Sequence, residues 1–384
     1  RKVDTLILNG EIVDGTGDPR YVSDIAVRDG RIVEIGDNLS SRFTANRVVD
    51  ASGKIVTPGW VDVHTHYDGQ ITWDPTLGPS TEHGVTTVCF GNCGVGFSPC
   101  RKKDRQTLID ILEGVENIPG TALAEGMKWR WETFPEYMNF LSTLQCASDF
   151  SVMIGHVPLR LYVMGKERCH DKPERKDLVK MRHLVAEAIR AGALGISTSR
   201  TLLHRDLQGV VIPGSYAGRA ELCALMSGLS DGGGGLFEIL DDFADLKIEM
   251  EWIGAVCKAF RCKVSIALGV GDAKARKVLL NWMTEVNREV GVDLISAQSA
   301  IRRQGCLQSL DSQYHPFVGH PIFQKELAGL PLKQRMKKMR KPEMKRRILE
   351  IDNQLWGKPF AAVIWNPENL YFMCNHHGVP TYER

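Results

Sequence analysis

Residues 61–68, Val-Asp-Val-His-Thr-His-Tyr-Asp, decide the fold prediction. They end an apolar run that we interpret as a buried strand, Ile55–Val63. Because residues i and i+2 of a strand point to the same side, His64 and His66 are predicted to project together from the carboxyl end of this strand. Paired imidazoles suit Zn²⁺ or a related divalent ion. The competing interpretation is two histidines that only pack at a strand end.

Beyond this stretch, apolar strands alternate with amphipathic helices. Predicted helices begin after Asp171, near Asp245 and near Asp272, and Gly192 and Gly291 end the first and the third. The predicted strands are Ile55–Val63, Val85–Gly91, Ser151–His156, Leu194–Ser199, Leu236–Leu240, Val264–Leu268 and Val292–Ala297. This alternation is typical of a parallel sheet with crossover helices, and it predicts an α/β fold, a TIM-like (β/α)8 barrel.

Both ends of the chain depart from this alternation. Residues 1–55 contain a strand pattern, Val3–Asn9, and a hairpin that turns at Asp29-Gly30, so we predict a small N-terminal β domain there, an incomplete β-sandwich. The barrel is predicted over 56–384, with an inserted helical and basic segment around 305–352. About seven of the eight strands that a closed barrel requires can be counted, so we expect the chain to be incomplete at its carboxyl end.

The composition excludes several classes of protein. Apolar residues make up 43% and charged residues 24%, ordinary values for a soluble globular chain. A net charge of +2 gives no electrostatic case for nucleic acid or membrane, and we expect neither as a partner. The basic run at 333–347 is more typical of a solvated helical face. Ten cysteines without a disulfide spacing indicate reduced thiols and a cytoplasmic location.

A cysteine follows the second predicted strand. Residues 84–94 read Gly-Val-Thr-Thr-Val-Cys-Phe-Gly-Asn-Cys-Gly, and Cys93 lies just past the strand's end. A thiolate there could reach the ion between His64 and His66, because metal binding deprotonates cysteine. The competing interpretation is a small buried apolar side chain, which is the usual role of a free cysteine.

Two further strand ends carry candidates for substrate binding. His156 is predicted to end the third strand and Arg160 to follow it, and Arg200 and His204 follow the fourth. His156 and Arg160 could contact the substrate or support residues that do. Either Arg200 or His204 could hold the substrate carboxylate, since arginine binds carboxylates through two parallel hydrogen bonds. Loop orientation and ordinary loop polarity are the competing interpretations.

Longer stretches carry a resemblance, among them VDVHTHYDGQITWDP, HGVTTVCFGNCGVGFSPCR and GALGISTSRTLLH. From its first residues to about Ile351 the chain resembles the D-aminoacylase, or N-acyl-D-amino-acid deacylase, branch of the amidohydrolase superfamily. The resemblance implies that His64, His66 and Cys93 hold one zinc ion, with a second ion left open. It also implies that metal-activated water hydrolyses a linear amide, above all that of a small-molecule N-acyl-D-amino acid.

The sequence departs from that family in two ways. The strand-eight Asp, which serves there as ligand and general base, is not found after Ala297, so the catalytic base is unknown. Histidines are missing from the ends of strands five and six, where Glu238 could substitute as a ligand. Two alternatives stay open: a cyclic amide hydrolase of hydantoinase type, and an incomplete or inactive relative that binds metal or a partner without catalysis. Cys93 and the lack of a fourth-strand lysine speak against the first alternative.

Overall fold

The structure is a computed structural model that describes residues 1–243, 245–268, 273–299, 309–310, 315, 317 and 320–351. The chain divides into two compact units. The first comprises Arg1–Val61 and Glu82–Thr87, and the second comprises Asp62–Thr81 and the described residues from Val88 onward. The division predicted from the sequence, 1–55 and 56–384, stays a proposal.

The first unit contains five strands in one sheet, with the order β3-β2-β1-β4 and β5 also paired with β1. They are β1 Lys2–Ile12, β2 Tyr21–Arg28, β3 Arg31–Gly36, β4 Thr44–Asp50 and β5 Ile55–Val56. The predicted hairpin is confirmed, because β2 and β3 pair antiparallel across Asp29 and Gly30. Both turn residues have positive φ, 52° and 72°, as a two-residue hairpin turn favours. The buried core of this first unit includes Val3, Leu6 and Phe43.

A second sheet is parallel and curled, and its seven strands follow one another in chain order. They are β6 Trp60–Asp62, β7 Val85–Phe90, β8 Asp149–Gly155, β9 Gly195–Arg200, β10 Leu236–Asp241, β11 Lys263–Leu268 and β12 Ile295–Gln298. The fold prediction of a TIM-like barrel with a separate N-terminal sheet is confirmed, with seven barrel strands in the described part of the chain.

The first predicted strand, Ile55–Val63, is wrong as a single strand. The chain forms β5, which pairs with β1, and then β6, which begins the seven-stranded sheet. Residues 57–59, Thr-Pro-Gly, separate the two, because proline has no N–H for a strand ladder and fixes its own φ. His64 and His66 follow directly after β6.

Eleven α-helices are described. They are α1 Arg105–Glu116, α2 Gly120–Gly126, α3 Phe134–Leu141, α4 His156–Met164, α5 Arg175–Arg190, α6 Arg219–Gly232, α7 Leu246–Phe260, α8 Ala273–Val290, α9 Pro321–Glu326, α10 Leu332–Met339 and α11 Pro342–Glu350. The three helices predicted after Asp171, Asp245 and Asp272 are confirmed as α5, α7 and α8. Asp245 caps α7, since its carboxylate accepts a hydrogen bond from the Ile248 N–H at 3.1 Å.

The basic run at 333–347 lies on two helices, α10 and α11, and the second begins at Pro342 because its ring cannot continue the preceding helix. Across the described ranges, the longest and most apolar helices still fall short of what a membrane span requires.

The turn after β7 is held tightly between its neighbours. Gly91 has φ 81°, and a Cβ added there would lie 2.1 Å from the Met153 carbonyl oxygen of β8. From β9, the Ser197 hydroxyl accepts a hydrogen bond from the Gly94 N–H at 2.9 Å and donates one to the Gly91 carbonyl oxygen. Cys93, inside this turn, has a φ of 58° in the left-handed region. The packing of β7, β8 and β9 therefore determines where the Cys93 side chain lies.

Replacing Gly91 with Ala is expected to lower the free energy of unfolding by about 2–5 kcal/mol, because backbone strain and the Met153 overlap add. Gly209→Ala is the matched control, since Gly209 has φ 78° with nothing within 4 Å of its added Cβ. The control should lose only about 1–2 kcal/mol. Urea unfolding followed by circular dichroism measures both, and equal losses would contradict this account of the turn.

Candidate metal centre

Three side chains converge at the carboxyl end of the seven-stranded sheet. His64 and His66 follow β6, and Cys93 lies in the turn after the neighbouring β7. One ligand atom of each lies within 4.8 Å of the others, and His64 Nε2 is 3.2 Å from Cys93 Sγ. The three residues that the sequence suggested as ligands are thus brought together, and their role as ligands remains a proposal.

His64 is oriented from the far edge of the sheet. Its Nδ1 lies 2.6 Å from the Oε1 of Gln298, the last residue of β12. An amide oxygen only accepts hydrogen bonds, so the proton is on Nδ1 and the lone pair of Nε2 faces Cys93. Burial, and then the neighbouring His66 ring, lower the pKa of His64, which favours the neutral ring that binds metals.

His66 is held from the other side. Its Nε2 lies 3.1 Å from Oε1 of Glu116, and its Nδ1 lies 4.0 Å from Oδ2 of Asp68. This Nδ1 atom is buried and has no hydrogen-bond partner. Burial lowers the pKa of His66 to about 4, so the ring is neutral at physiological pH.

Cys93 is 3% exposed and is fixed through its backbone. Its N–H donates to Oε2 of Glu238, on β10, at 3.0 Å. The other oxygen of Glu238 has no hydrogen-bond partner and lies 3.9 Å from His64 Nδ1. Burial raises the pKa of Glu238 to about 8 and that of the Cys93 thiol well above its usual value. Glu238 therefore fixes the backbone of Cys93 through this hydrogen bond. Among the described residues, two groups of three side chains could hold a metal ion, and Glu238 belongs to neither.

The donor set fits a divalent cation. Around a tetrahedral zinc ion, a nitrogen and a sulfur ligand lie about 3.5 Å apart, close to the His64–Cys93 separation. Burial also raises the pKa of Glu116 and of Asp68, each to about 7. Within the described chain, Glu116, Asp68 and Glu238 make their ion-pair contacts with His64 and His66 only, and with no lysine or arginine. A cation in their midst would compensate these buried acids.

His204, a predicted substrate-binding residue, lies beside this group. Its ring nitrogen, the Cys93 sulfur and a Glu116 oxygen lie within 4.8 Å of one another. Its Nδ1 is 2.8 Å from the Ser199 hydroxyl oxygen, and burial lowers its pKa to about 3. Glu116, the last residue of α1, was missed by the sequence analysis, because no local pattern distinguishes it from a solvated helix-end glutamate.

His156 and Arg160 are occupied by protein partners. His156 begins α4 and does not end the third strand as predicted, since β8 stops at Gly155 and the chain turns directly into a helix. Its Nε2 donates to Glu221 at 2.9 Å, and the Thr198 hydroxyl lies 2.8 Å from its Nδ1. Arg160 is 3% exposed and donates to both Glu221 oxygens, at 2.5 and 2.6 Å. This geometry gives the pair a bracing role, and substrate contact stays a prediction.

Arg200 is engaged in the same way. It ends β9, and its guanidinium donates to both oxygens of Glu249, at 2.7 and 2.8 Å. Its third nitrogen, Nη1, donates to the Ala217 carbonyl oxygen at 3.2 Å, and its charge lies over the rings of Tyr216 and Trp252. Contact with a substrate carboxylate stays a prediction for Arg200 as well.

The sequence pattern of the amidohydrolase family matches residues 47–356, so the chain belongs to that family. It is 35% identical over 195 residues to the D-aminoacylase of Alcaligenes xylosoxydans xylosoxydans and 32% identical over 228 residues to the N-acyl-D-glutamate deacylase of the same organism. Its fold is similar to a crystal structure of N-acyl-D-glutamate deacylase from Bordetella bronchiseptica, complexed with zinc and a phosphonate inhibitor, with a TM-score of 0.61 and 29% identity.

Each of these matches covers only part of this chain and part of the relative. The two sequence matches span 51% and 58% of this chain, and 37% and 41% of the two relatives' own length. The structural match covers 77% of this chain and 58% of the Bordetella protein.

Replacing Glu221 with Gln is expected to lower the free energy of unfolding by about 3–5 kcal/mol, because it leaves the Arg160 charge buried without a counter-charge. The control is Asp231→Asn on the same helix, α6, where Asp231 pairs with Arg182 at 2.5 Å in an exposed position. An exposed pair contributes only about 0–1 kcal/mol. Chemical unfolding of both variants measures the difference.

The loss of stability in Glu221→Gln is also expected to depend on pH. Burial alone would raise the pKa of Glu221, but the hydrogen bonds and charges of His156 and Arg160 hold it below its usual value. A lowered native pKa gives stability that is present at neutral pH and is lost as the pH falls through it. The deficit of Glu221→Gln should therefore shrink in acid, and a deficit that is constant down to the acid range would contradict this role.

Proposed function

We propose that this protein is a metal-dependent hydrolase of linear amides that deacylates N-acyl-D-amino acids. The observation that carries the proposal is the convergence of His64, His66 and Cys93 at the carboxyl end of a parallel sheet. This is the end at which barrel enzymes of this kind place their chemistry. Its similarity to a D-aminoacylase and to N-acyl-D-glutamate deacylases supports the substrate class.

A divalent ion bound there, which we propose to be zinc, would polarise the amide carbonyl and make water a stronger nucleophile at neutral pH. His64, His66 and Cys93 would hold it. Gln298 keeps the His64 ring in the tautomer that presents Nε2, and Glu238 keeps the Cys93 turn in place. Such supporting hydrogen bonds typically change metal affinity by about 10–100-fold.

The overall reaction needs only water as co-substrate. Water adds to the acyl carbonyl, the carbon–nitrogen bond breaks, and a proton passes to the leaving nitrogen. The products are a carboxylate and a free D-amino acid. We propose a cytoplasmic location for this activity and a small-molecule partner.

Replacing His66 with Ala is expected to remove the bound ion and to lower deacylation by about 100-fold or more, since a ligand contributes at least as much as its supporting contacts. The matched control is His183→Ala, an exposed histidine on α5. Elemental analysis measures the metal, and the release of free amine from N-acetyl-D- and N-acetyl-L-amino acids measures the activity.

The substrate panel separates the alternatives. Turnover of N-acetyl-D-amino acids supports the proposal, and turnover of hydantoins alone would favour the cyclic amide hydrolase. Bound metal without turnover of any amide would favour a relative that does not catalyse. Full metal content in His66→Ala would contradict the ligand set.

A further inference from the structure

Glu116 is the most exposed of the three acids at the proposed metal centre. Its side chain is 22% exposed, whereas those of Asp68 and Glu238 are 3% and 0% exposed. Among the described residues, Glu116 makes its only ion-pair or hydrogen-bond contact with His66, from Oε1 to Nε2, at 3.1 Å. Its second oxygen is therefore free to accept hydrogen bonds from a molecule that enters at the carboxyl end of the sheet.

The position of Glu116 follows from two features of α1. Gly114 lies in the last turn of this helix, and a Cβ added there would lie 2.4 Å from the Arg205 carbonyl oxygen, so the helix packs directly on the loop that follows β9. The helix ends right after Glu116, because Asn117 adopts a left-handed conformation with φ 57°. An oxygen of Glu116 thus lies within 4.8 Å of a ring nitrogen of His204.

The end of α1 adds negative potential at this point. The last four carbonyl groups of a helix have no partner within it, so its carboxyl end carries about half a negative charge. Lysine and arginine are favourable at such an end, but the last turn of α1 contains no basic residue and finishes with Glu116. A positive group beside Glu116 would therefore be stabilised twice, by the carboxylate and by the helix end.

Two further acids lie behind Glu116. Asp68 and Glu238 are buried, and each has an oxygen without a hydrogen-bond partner in the described part of the chain. A bound divalent ion and the Cys93 thiolate would together contribute one positive charge, which offsets only part of the charge of three carboxylates. The centre therefore favours positive charge even when the proposed ion is bound.

Among the described residues, no lysine or arginine forms an ion pair with these three acids. Arg160 and Arg200, at the neighbouring strand ends, are held by acids of α6 and α7 instead. His204, next to Glu116, is uncharged at neutral pH, because burial lowers its pKa to about 3. An acidic side chain of a substrate would meet Glu116 without a counter-charge, and like charges at such short range repel each other.

We propose that Glu116 selects a basic side chain in the substrate, so that N-acyl derivatives of D-arginine and D-lysine are preferred to those of D-glutamate and D-aspartate. A guanidinium group fits best, because its planar array of N–H groups matches a carboxylate. The inference rests on the proposed function for the reaction itself. Recognition of the side chain is a binding property of Glu116, and it can be measured without turnover.

Calorimetry of the metal-free protein at mildly alkaline pH tests the proposal, with N-acetyl-D-arginine, N-acetyl-D-citrulline and N-acetyl-D-glutamate as ligands. All three carry the same α-carboxylate, and citrulline has the shape of arginine without its charge. The wild type should bind the arginine derivative about tenfold or more tightly than the citrulline derivative, as a hydrogen bond to a charged group predicts, and the glutamate derivative more weakly than either. Glu116→Gln should bind the arginine and citrulline derivatives about equally. The control Glu125→Gln, an exposed carboxylate on α2, should keep the wild-type ratio.

The outcomes separate this inference from the proposed function. Equal binding of the arginine and citrulline derivatives by the wild type overturns the inference, and so does the absence of measurable binding of the arginine derivative. Loss of bound zinc in natively folded Glu116→Gln also overturns it, because the carboxylate is then a ligand of the ion. If the proposed function fails, the zinc-loaded protein hydrolyses none of the three amides, while the preference for arginine and its loss in Glu116→Gln persist. Hydrolysis of all three amides with equal kcat/KM keeps the function and overturns the inference.

Discussion

The position of Cys93 is the constraint on which the rest of the centre depends. Its left-handed backbone is tolerated only because the turn is held on several sides: Ser197 binds both ends of the turn, and Glu238 accepts the Cys93 N–H. Asn92 donates to the carbonyl oxygens of Thr65 and Cys89, at 3.2 and 3.1 Å, which links the turn to the segment that carries the histidines. The Cys93 thiol and the two imidazoles therefore lie together because β7, β8 and β9 pack against one another, and not because the local sequence prefers this backbone conformation.

This arrangement gathers buried acids around neutral rings. Burial disfavours the charged forms of Glu116, Asp68 and Glu238, which raises their pKa values, and it lowers those of His64 and His66. Elsewhere in the described chain, buried acids such as Glu221 and Glu249 are compensated by arginine. We therefore assign a cation to Glu116, Asp68 and Glu238, which have no arginine partner among the described residues, and a structural role to Glu221 and Glu249, which do.

The sequence predicted the inner strands β8 to β11 to within two residues, because strands that are buried on both faces appear as continuous apolar runs bounded by glycine and polar residues. It failed where contacts over long sequence distances decide. The partners of Arg160 and Arg200 are Glu221 and Glu249, 61 and 49 positions away, and no local pattern indicates that these acids take up the guanidinium groups.

Glu116 was missed for the same reason, since it reaches the centre through tertiary packing: Gly114, two residues before it in α1, lies against the backbone of Arg205 and Asp206, next to His204. His64, His66 and Cys93 were found because i, i+2 spacing and neighbouring strand ends are visible in sequence order. Ligand candidates that follow from strand spacing could therefore be predicted from the sequence, whereas a residue that only tertiary packing brings to the centre could not.

X-ray absorption at the zinc edge of the wild-type protein, loaded with less than one equivalent of zinc, tests the central claim most directly. A cation held by two histidines and a cysteine should show one sulfur neighbour at about 2.3 Å and nitrogen or oxygen neighbours at about 2.0–2.1 Å. A shell of nitrogen and oxygen neighbours alone, without sulfur, would contradict the account, because it would mean that the constrained Cys93 turn has no part in binding the metal.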